Sequence, residues 1–435
     1  MWVGCVFGLV CAVVSAETPS ENSSAVSDAY RAIWNTEEQA KIDADIERNR
    51  KADYTVSLDV PDGTVVRVCQ TSHDFKFGSN IFLFGQFDSE EKNRRYADAF
   101  TELFNAATVA FYWKTLEPVQ GKPRFAADSE RIYRRPATDP VVDFCEEHGL
   151  DIHGHALIYG IRRWGHPEWL PTERKAMEAP FEAHIRQLAE RYGARIAEWD
   201  VVNESIDQAN RGLMPDDYMY KCFRWAEEYF PPEVRLSTNE CDLSWGPNRR
   251  YVEIVRDLID RGAKIGLVGV QAHLFSPEQV KKIADGADLH TPKKIRAVLD
   301  TLTETERPIH ISEITISAPS DDDAGRAIQA VIAVNLYRLW FSYPQVCRIT
   351  WWNAVDGGAA EGEPSFSGLL TAELEKKPVY DALFDLIHRQ WRTETTATVE
   401  NGHVAWRGFR GNYRLEWTST DGTKRSQDVT PTEAP

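Results

Sequence analysis

The central part of the chain repeats one pattern, a short apolar segment followed by a stretch with helical spacing. Short apolar runs are typical of parallel strands that are buried on both faces. The intervening stretches, such as residues 180–193 and 249–262, carry apolar residues at helical spacing and end on glycine. Eight such units predict an α/β protein built on a (β/α)8 TIM barrel. The predicted strands are residues 77–84, 106–113, 150–157, 196–204, 234–240, 265–273, 308–314 and 348–355.

The two ends of the chain show other patterns. Residues 36–51 predict a charged helix. Residues 54–71 alternate apolar and polar positions around Pro61-Asp62-Gly63, which predicts a β-hairpin. Asn401-Gly402 and Asp421-Gly422 are two further hairpin signals. We therefore expect small β elements at both ends of the barrel.

These patterns divide the chain into four parts. Within the last part, Trp406 and Trp417 raise the hypothesis of a carbohydrate-binding module, with core packing as the alternative. The parts are residues 1–16, a signal peptide; residues 17–72, an N-terminal helix and β-hairpin extension; residues 73–392, the TIM barrel; and residues 393–435, a small C-terminal β region.

The first residues form an apolar run that ends in Val14-Ser15-Ala16, a small-residue cleavage pattern. This pattern predicts a secreted or periplasmic protein. The run has no positively charged start, so a buried N-terminal helix is the alternative. Without residues 1–16, the remaining cysteines are dispersed and contain no C-x-x-C pair, which fits neither a disulfide scaffold nor a zinc ribbon. They are Cys69, Cys145, Cys222, Cys241 and Cys347.

The net charge of −17 argues against nucleic acid and anionic membranes as partners, because both attract clusters of Lys and Arg. After the first 16 residues no apolar stretch is long enough to predict membrane insertion. The chain contains 14 Trp, whose rings either stack on sugars or enlarge the core. These features favour a neutral substrate, and we expect a monomer.

Polar residues stand at the carboxyl ends of six predicted strands. In a TIM barrel these ends open onto one face, where the chemistry takes place. The sequence therefore predicts that their side chains converge in one cleft. From the third strand to the eighth they are His155; Asn203 and Glu204; Asn239 and Glu240; Gln271 and His273; Glu313; and Trp352 and Asp356.

Glu204 and Glu313 are the candidate catalytic pair, because they end the fourth and seventh strands of a closed ring. Two carboxyl groups about 5–5.5 Å apart are the arrangement for retaining glycoside hydrolysis. One group must be protonated and the other ionised, so their surroundings must separate their pKa values.

Several motifs resemble those of glycoside hydrolase family 10, the endo-β-1,4-xylanase family. They are WDVVNE and SEI, together with GHALIY, GVQAH, WWNAVD and KPVYDAL, and the resemblance runs from Phe75 to Leu386. It implies a polysaccharide or oligosaccharide substrate, xylan or a related β-glycan, with no cofactor and no metal. It also implies site roles: Glu204 as acid/base, Glu313 as nucleophile, Asn203 and His155 as sugar contacts, Gln271 and His273 as supports of the nucleophile, and Trp352 as the stacking floor. We expect Tyr159 to bind substrate as well.

Two positions depart from the family pattern. Where the second strand of the family carries a Glu and a Lys that grip the next sugar outward, residues 109–113 read Val-Ala-Phe-Tyr-Trp. Tyr159-Gly160 stands where Trp-His is usual. We expect Phe111 and Tyr112 to favour a decorated xylan, another β-linked glycan or a glycoside with an apolar part. Neighbouring strand residues face opposite sides of the sheet. Trp351 is therefore the alternative to Trp352 as the residue that stacks on the sugar.

Two other functions fit parts of the sequence. His153-Gly154-His155 would suit a metal-dependent amidohydrolase, although that superfamily carries its His-x-His on the first strand. A non-hydrolytic glycan-binding barrel is the second alternative. Retention of both glutamates disfavours it.

Overall fold

Eight parallel strands close into a barrel in the computed structural model, which describes residues 25–206, 213–241, 246 and 249–432. The predicted TIM barrel is confirmed. The predicted signal peptide, residues 1–16, lies outside the described residues. The strands are β1 (Lys51–Ser57), β2 (Val65–Gln70), β3 (Lys76–Asn80), β4 (Ala106–Ala110), β5 (Asp151–His155), β6 (Ile158–Tyr159), β7 (Glu198–Asn203), β8 (Arg235–Glu240), β9 (Leu267–Leu274), β10 (Ile309–Ile316), β11 (Val346–Trp351), β12 (Glu394–Thr398), β13 (His403–Phe409), β14 (Tyr413–Thr418) and β15 (Lys424–Val429).

The barrel runs from β3 to β11, and β11 pairs with β3 to close it. Its third strand is broken, because β5 and β6 both pair with β7. Helices follow the strands and cover the barrel. They are α1 (Asp28–Ile33), α2 (Thr36–Arg50), α3 (Glu90–Leu103), α4 (Trp113–Leu116), α5 (Thr138–Glu147), α6 (Arg162–Gly165), α7 (Glu178–Tyr192), α8 (Tyr218–Tyr229), α9 (Arg249–Asp260), α10 (Pro277–Ala284), α11 (Pro292–Thr303), α12 (Asp323–Ser342) and α13 (Pro378–Asp385).

The helices form where the sequence supplies both an apolar stripe and a start signal. In α7, Phe181, Ile185 and Leu188 recur at helical spacing and are fully buried. The side chain of Asp322 caps α12 by accepting a hydrogen bond from the backbone N–H of Gly325 at 2.8 Å. Every residue of β7 and β10 is buried, which explains why these strands read as apolar runs.

The terminal strands form a small β sandwich, and the hairpin predicted for residues 54–71 is wrong. β1 pairs with β13, whereas β2 lies between β12 and β14 in the other sheet. The Pro61-Asp62-Gly63 turn therefore links two sheets. Asn401-Gly402 likewise joins strands of different sheets, and only Asp421-Gly422 joins directly paired strands, β14 and β15. The strands pair with partners that are distant in the sequence because this pairing buries the inner faces of both sheets of the sandwich.

The sandwich packs against the end of the barrel at which the strands begin. Its Phe409 ring lies 6.2 Å from Phe341, which stacks on Trp391 at 4.1 Å and contacts Phe77 of β3 at 5.6 Å. Arg50 donates to the carbonyl oxygen of Val346, the first residue of β11, at 2.7 Å. The sandwich is therefore at the opposite end from the carboxyl ends of the strands.

Trp406 belongs to the core of this sandwich. Its ring lies 5.5 Å from Tyr54 and 5.2 Å from Tyr413, and 7% of its surface is exposed. Trp417 packs against the same core. Trp406 is therefore not a sugar platform, and core packing accounts for it.

Two further features concern the described residues alone. None of their helices is both long and apolar enough to cross a membrane. The five cysteines that follow the predicted leader are free thiols.

Candidate active site

Glu204 stands where the chain leaves the fourth barrel strand. It follows β7 directly, in the left-handed region with φ +53°. Its backbone N–H donates to the carbonyl oxygen of Asn239 at 2.8 Å, and its half-buried carboxyl accepts a hydrogen bond from Gln271 Nε2 at 3.0 Å. Gly160 makes room for this turn, because a Cβ there would lie 2.1 Å from the carbonyl oxygen of Glu204. The strand thus releases its carboxyl group into the cleft.

Glu313 lies deeper, within β10, and only 4% of its surface is exposed. Its Oε1 accepts a hydrogen bond from Asn239 Nδ2 at 2.8 Å, and its Oε2 lies 3.3 Å from His273 Nε2. Burial raises the pKa of Glu313 to about 8, and the negative charge of Glu204 adds to the rise, while His155 and Asn239 oppose it. Glu313 is therefore a buried carboxyl whose charged form is supported only in part.

Asn239 connects the two glutamates, although from the sequence it was predicted only as a polar strand end, with no role of its own. Besides Glu313, its Nδ2 donates to Asn203 Oδ1 at 2.7 Å, and its own Oδ1 accepts from Ser312 Oγ at 2.5 Å. Asn203 directly precedes Glu204, so one amide group holds both sides of the pair. The buried Nδ2 of Asn203 has no hydrogen-bond partner among the described residues and is a free donor in the cleft. The polar end of β8 was the available signal for Asn239.

Asp200 fixes two histidines of the third strand. Nδ1 of His155 donates to Asp200 Oδ2 at 2.8 Å, and Nε2 of His153 lies at 2.8 Å from the same oxygen. Burial opposes the charge of Asp200, but the two histidines outweigh it and hold the pKa of Asp200 well below its usual range. Burial likewise disfavours charge on His153, yet Asp200 and Glu198 raise its pKa to about 9. His153 is therefore a buried cation.

The predicted sugar contact His155 has both ring nitrogens occupied. Its Nε2 accepts a hydrogen bond from the hydroxyl of Tyr112 at 3.0 Å. Tyr112 stacks on Tyr159 at 5.7 Å, and the Tyr159 hydroxyl interacts with Glu204. Burial raises the pKa of both tyrosine hydroxyls, so both stay protonated donors. Tyr112, the residue that stands in for the family's lysine, is thus part of the site.

His273 and Gln271 divide the support of the two carboxyls. Burial lowers the pKa of His273 to about 4, so its ring is neutral and faces Glu313 with one nitrogen. Its other nitrogen lies 2.9 Å from Thr315 Oγ1. Gln271, which the resemblance assigned to the nucleophile, donates to Glu204 instead. The register between β9 and β10 shifts by one residue beside Glu313, which places Gln271 toward the neighbouring carboxyl.

Trp352 rather than Trp351 faces the cleft. Its ring meets His155 at 5.4 Å and Phe82 at 5.3 Å, both edge to face. Trp351 is buried in the core, where its indole N–H donates to the carbonyl oxygen of Asn353 at 3.0 Å. The two neighbouring tryptophans point to opposite sides, as strand geometry requires.

Two residues that the sequence assigned to the cleft do not place their side chains there. Phe111 is fully buried against Trp199 at 4.6 Å, so the prediction that it contacts substrate is wrong. β4 ends at Ala110, and the turn that follows sends the next side chain into the core. Asp356 forms an ion pair with Lys377 at 3.0 Å in the loop after β11. No group of three or more His, Cys, Asp or Glu in the described part of the chain could hold a metal ion.

A sequence model of glycosyl hydrolase family 10 matches residues 74–386. The chain belongs to glycosyl hydrolase family 10. It is 24% identical to endo-1,4-beta-xylanase 2 of Arabidopsis thaliana over 370 residues, which are 82% of this chain and 31% of that protein. Endo-1,4-beta-xylanase B of Paenibacillus barcinonensis is 24% identical over 212 residues, or 45% of this chain and 59% of that protein. The chain thus spans about a third of the first relative's length.

Solved structures of family 10 share the fold. Xylanase 10B from Thermotoga petrophila RKU-1, determined in complex with xylobiose, superimposes with a TM-score of 0.58 at 21% identity, covering 73% of this chain and 95% of that one. A family 10 structure from Paenibacillus barcinonensis gives a TM-score of 0.59 at 21% identity, covering 73% and 96%. These likenesses show the barrel. The contacts of each site residue come from this chain's own geometry.

Proposed function

We propose that this family 10 chain is a retaining glycoside hydrolase that cleaves β-1,4-linked xylan or a related β-glycan. The observation that carries the proposal is the pair of carboxyls in one pocket, joined by Asn239, which binds both Glu313 and the residue before Glu204. The relatives named endo-1,4-beta-xylanase and the xylobiose complex of the Thermotoga petrophila enzyme support xylan as the substrate class.

Glu313 is the proposed nucleophile because hydrogen-bond donors surround it. The amide of Asn239 and the ring of His273 both face its oxygens, and donors of this kind stabilise a carboxylate at the moment it must be charged. Glu204 is the proposed acid/base because it is half-buried at the rim of the cleft. Water can reach it there for the second step.

The reaction then follows two displacements. Glu313 attacks the anomeric carbon while Glu204 protonates the glycosidic oxygen, and the leaving sugar departs as an alcohol. In the second step Glu204 removes a proton from water, the oxygen of that water attacks the anomeric carbon, and Glu313 is released as a carboxylate. Two inversions give net retention of configuration.

The raised pKa of Glu313 defines how the proton must be shared. Because that pKa is about 8, the free site holds a proton at neutral pH. The pair has the same net charge whether its one proton is on Glu313 or on Glu204. Double displacement requires the proton on Glu204. If Glu313 kept the proton in the substrate complex, the two roles would be exchanged.

The remaining cleft residues are proposed to hold the sugar. The free Nδ2 of Asn203 is placed to donate to a sugar hydroxyl, and Trp352 offers an aromatic face to the ring. Tyr159 adds a hydroxyl beside Glu204. His155 acts through Tyr112, since its own nitrogens are engaged.

Azide rescue distinguishes the two role assignments. The variants E313A and E204A are each given an aryl β-xylobioside with a good leaving group, with and without azide. With Glu313 as nucleophile, E313A plus azide should release the α-glycosyl azide, because azide attacks the substrate once. E204A plus azide should release the β-glycosyl azide, because azide attacks the glycosyl-enzyme. The opposite pattern contradicts the assignment, and no turnover by the parent protein favours a non-hydrolytic glycan-binding barrel.

Secretion to the cell exterior or the periplasm is a further part of the proposal. It is supported by the apolar run and the Val14-Ser15-Ala16 pattern. Sequencing the N-terminus of the mature protein from its native source tests it, and cleavage after Ala16 is the expected result. The monomeric state stays a prediction.

A further inference from the structure

Arg135 brings a positive charge close to the catalytic pair. Its guanidinium carbon lies 3.9 Å from the ring centre of Tyr112 and 5.0 Å from that of Phe82. The hydroxyl of Tyr112 bonds to His155, whose Nε2 is 3.9 Å from Glu313 Oε1. Two side chains therefore separate this cation from the proposed nucleophile. Arg135 belongs to the loop between α4 and α5.

Most hydrogen-bond donors of Arg135 are unused. Its guanidinium makes one hydrogen bond, from Nη1 to the carbonyl oxygen of Arg134 at 2.8 Å, although the group carries five N–H donors. No Asp or Glu oxygen of the described residues lies within 4.0 Å of it. The neighbouring Arg134 differs, since it donates to Asn353 Oδ1 at 2.7 Å and to the carbonyl oxygen of Gly358. Arg134 holds a loop, whereas Arg135 has donors to spare.

The chemistry of a guanidinium limits the class of ligand that Arg135 can bind. Its planar fork matches a carboxylate, with which it forms two parallel charge-assisted hydrogen bonds. The net charge of −17 opposes a densely charged polymer, but ions screen it beyond roughly 8 Å at physiological ionic strength. An isolated carboxylate on a neutral chain therefore fits better than a polyanion.

We propose that Arg135 binds the carboxylate of an acidic side group, so that the preferred substrate is a β-glycan backbone decorated with uronic acid. This inference rests on the proposed hydrolase function and names its substrate class. The Tyr112 ring, which stacks on Tyr159 and lies under the guanidinium, holds Arg135 beside the cleft. Tyr112 occupies the position where the family's charged pair is lost, so a new polar contact replaces the old one.

The test compares one polymer in two forms. The substrates are glucuronoxylan and the same glucuronoxylan after chemical reduction of its carboxyl groups to primary alcohols, which keeps the backbone and the branches. The proteins are the parent chain, R135Q, R135K and the control R261Q. Arg261 is a matched control because it lies 4.0 Å over the ring of Tyr220 but is already paired with Asp217 and Asp257.

The parent chain should show a kcat/KM about tenfold higher on the acidic polymer than on the reduced one, as expected for a charge-assisted hydrogen bond. R135Q should bring this ratio close to one, R135K should keep part of it, and R261Q should leave it unchanged. A parent ratio of one or less overturns the inference. An equal loss on both polymers in R135Q also overturns it, because Arg135 would then only support Tyr112.

Failure of the proposed function gives a different result, namely no turnover of either polymer by the parent chain. In that case, affinity electrophoresis in gels containing each polymer decides the inference on binding alone. Stronger retardation by the acidic polymer that R135Q abolishes supports it. Equal retardation by the two polymers overturns it.

Discussion

The interior of the barrel contains two layers of charge that are balanced in different ways. In the lower layer, where the strands begin, Arg348 donates to Glu198 at 2.9 Å and to Asp151 at 2.5 Å. Arg235 also pairs with Glu198. Each carboxylate of this layer thus has a guanidinium partner.

The upper layer has carboxyls without such partners. Among the described residues, no Lys or Arg nitrogen lies within 4.0 Å of Asp200, Glu204 or Glu313. Histidine rings and neutral amides take that place, at distances of 2.8 to 3.9 Å. The partners are His153 and His155 for Asp200, Gln271 for Glu204, and Asn239, His155 and His273 for Glu313.

The difference shows in the pKa values of two buried glutamates. Burial disfavours charge on both, but Arg348 and His153 hold the pKa of Glu198 well below its usual range. Glu313 has no guanidinium beside it, and its pKa rises to about 8. The lower layer is arranged for stability. In the upper layer the buried carboxyl of Glu313 is costly to ionise, as is common at functional sites.

The largest expected effect comes from neutralising the upper layer. E313Q should lower kcat/KM by about 10⁴-fold or more, because it removes the proposed nucleophile. The same change should raise the thermal midpoint near pH 8, since a buried charge is no longer required there. Steady-state kinetics and thermal unfolding on the same preparation measure both. A variant that loses activity and stability together contradicts the comparison.

Breaking the lower layer should have the reverse outcome. R348M leaves Glu198 and Asp151 without their shared cation, and loss of one partner of a buried pair costs about 3–5 kcal/mol in the free energy of unfolding. Activity per folded molecule should change little, because Arg348 does not contact Glu204 or Glu313, the proposed catalytic pair. Chemical denaturation measures the loss. The control R414M breaks an exposed pair with Asp428 and should cost less than about 1 kcal/mol.

The barrel and the polar strand ends were predictable from the sequence because both depend on local pattern. A strand covered on both faces must be apolar, and a strand that serves the cleft must end in polar residues, as β7 does at Asn203 and Glu204. The motif WDVVNE adds the order of these residues along the strand. These features located the fold and the two candidate carboxyls.

What the sequence did not reveal depends on distant partners. Pro61-Asp62-Gly63 specifies a turn, but β1 and β2 pair with strands more than 300 positions away, which no local pattern encodes. Phe111 was assigned to the cleft because residues 109–113 align with the family's second-strand motif, but the strand ends at Ala110 and the chain then turns. Arg135 comes from a loop, so periodicity carries no information about its direction.

The stability of the protein should fall as the pH rises from about 7 to about 9, above the range in which the buried histidines with lowered pKa values, such as His273, lose their protons. The folded-state pKa is raised to about 8 for Glu313 and to about 9 for His153, above the values of about 4.3 and 6.5 in an unfolded chain. The folded protein therefore binds more protons across this range. The favourable contribution of His153 is complete below about pH 6.5 and is lost as the pH rises through about 9.

Thermal unfolding at several pH values checks this slope, which should amount to about 4 kcal/mol between pH 7 and 9, because Glu313 contributes over about one pH unit and His153 over about two. E313Q removes one of the two titrating groups. It should therefore reduce the fall in stability at the lower end of this pH range. A midpoint that climbs steadily toward pH 9 would rule out the balance described for the upper layer.

The smallest expected effect concerns Glu240, which holds the chain that follows Glu204. Its Oε1 accepts from the backbone N–H groups of Ser205 and Ile206, the latter at 2.9 Å, and from the Ser205 hydroxyl at 2.8 Å. Burial raises the pKa of Glu240 to about 7 despite these donors. Above that pH the carboxylate grips the turn more firmly, because hydrogen bonds to a charged acceptor are stronger.

E240Q keeps an acceptor oxygen but removes the charge, so it resembles the protonated parent side chain. It should lower kcat about tenfold above pH 8 and far less below pH 6, where the parent carboxyl is itself neutral. The control E304Q changes an exposed glutamate paired with Arg249 and should leave the profile unaltered. A loss of equal size at every pH would mean that Glu240 contributes packing alone, since only its charge depends on pH in this range.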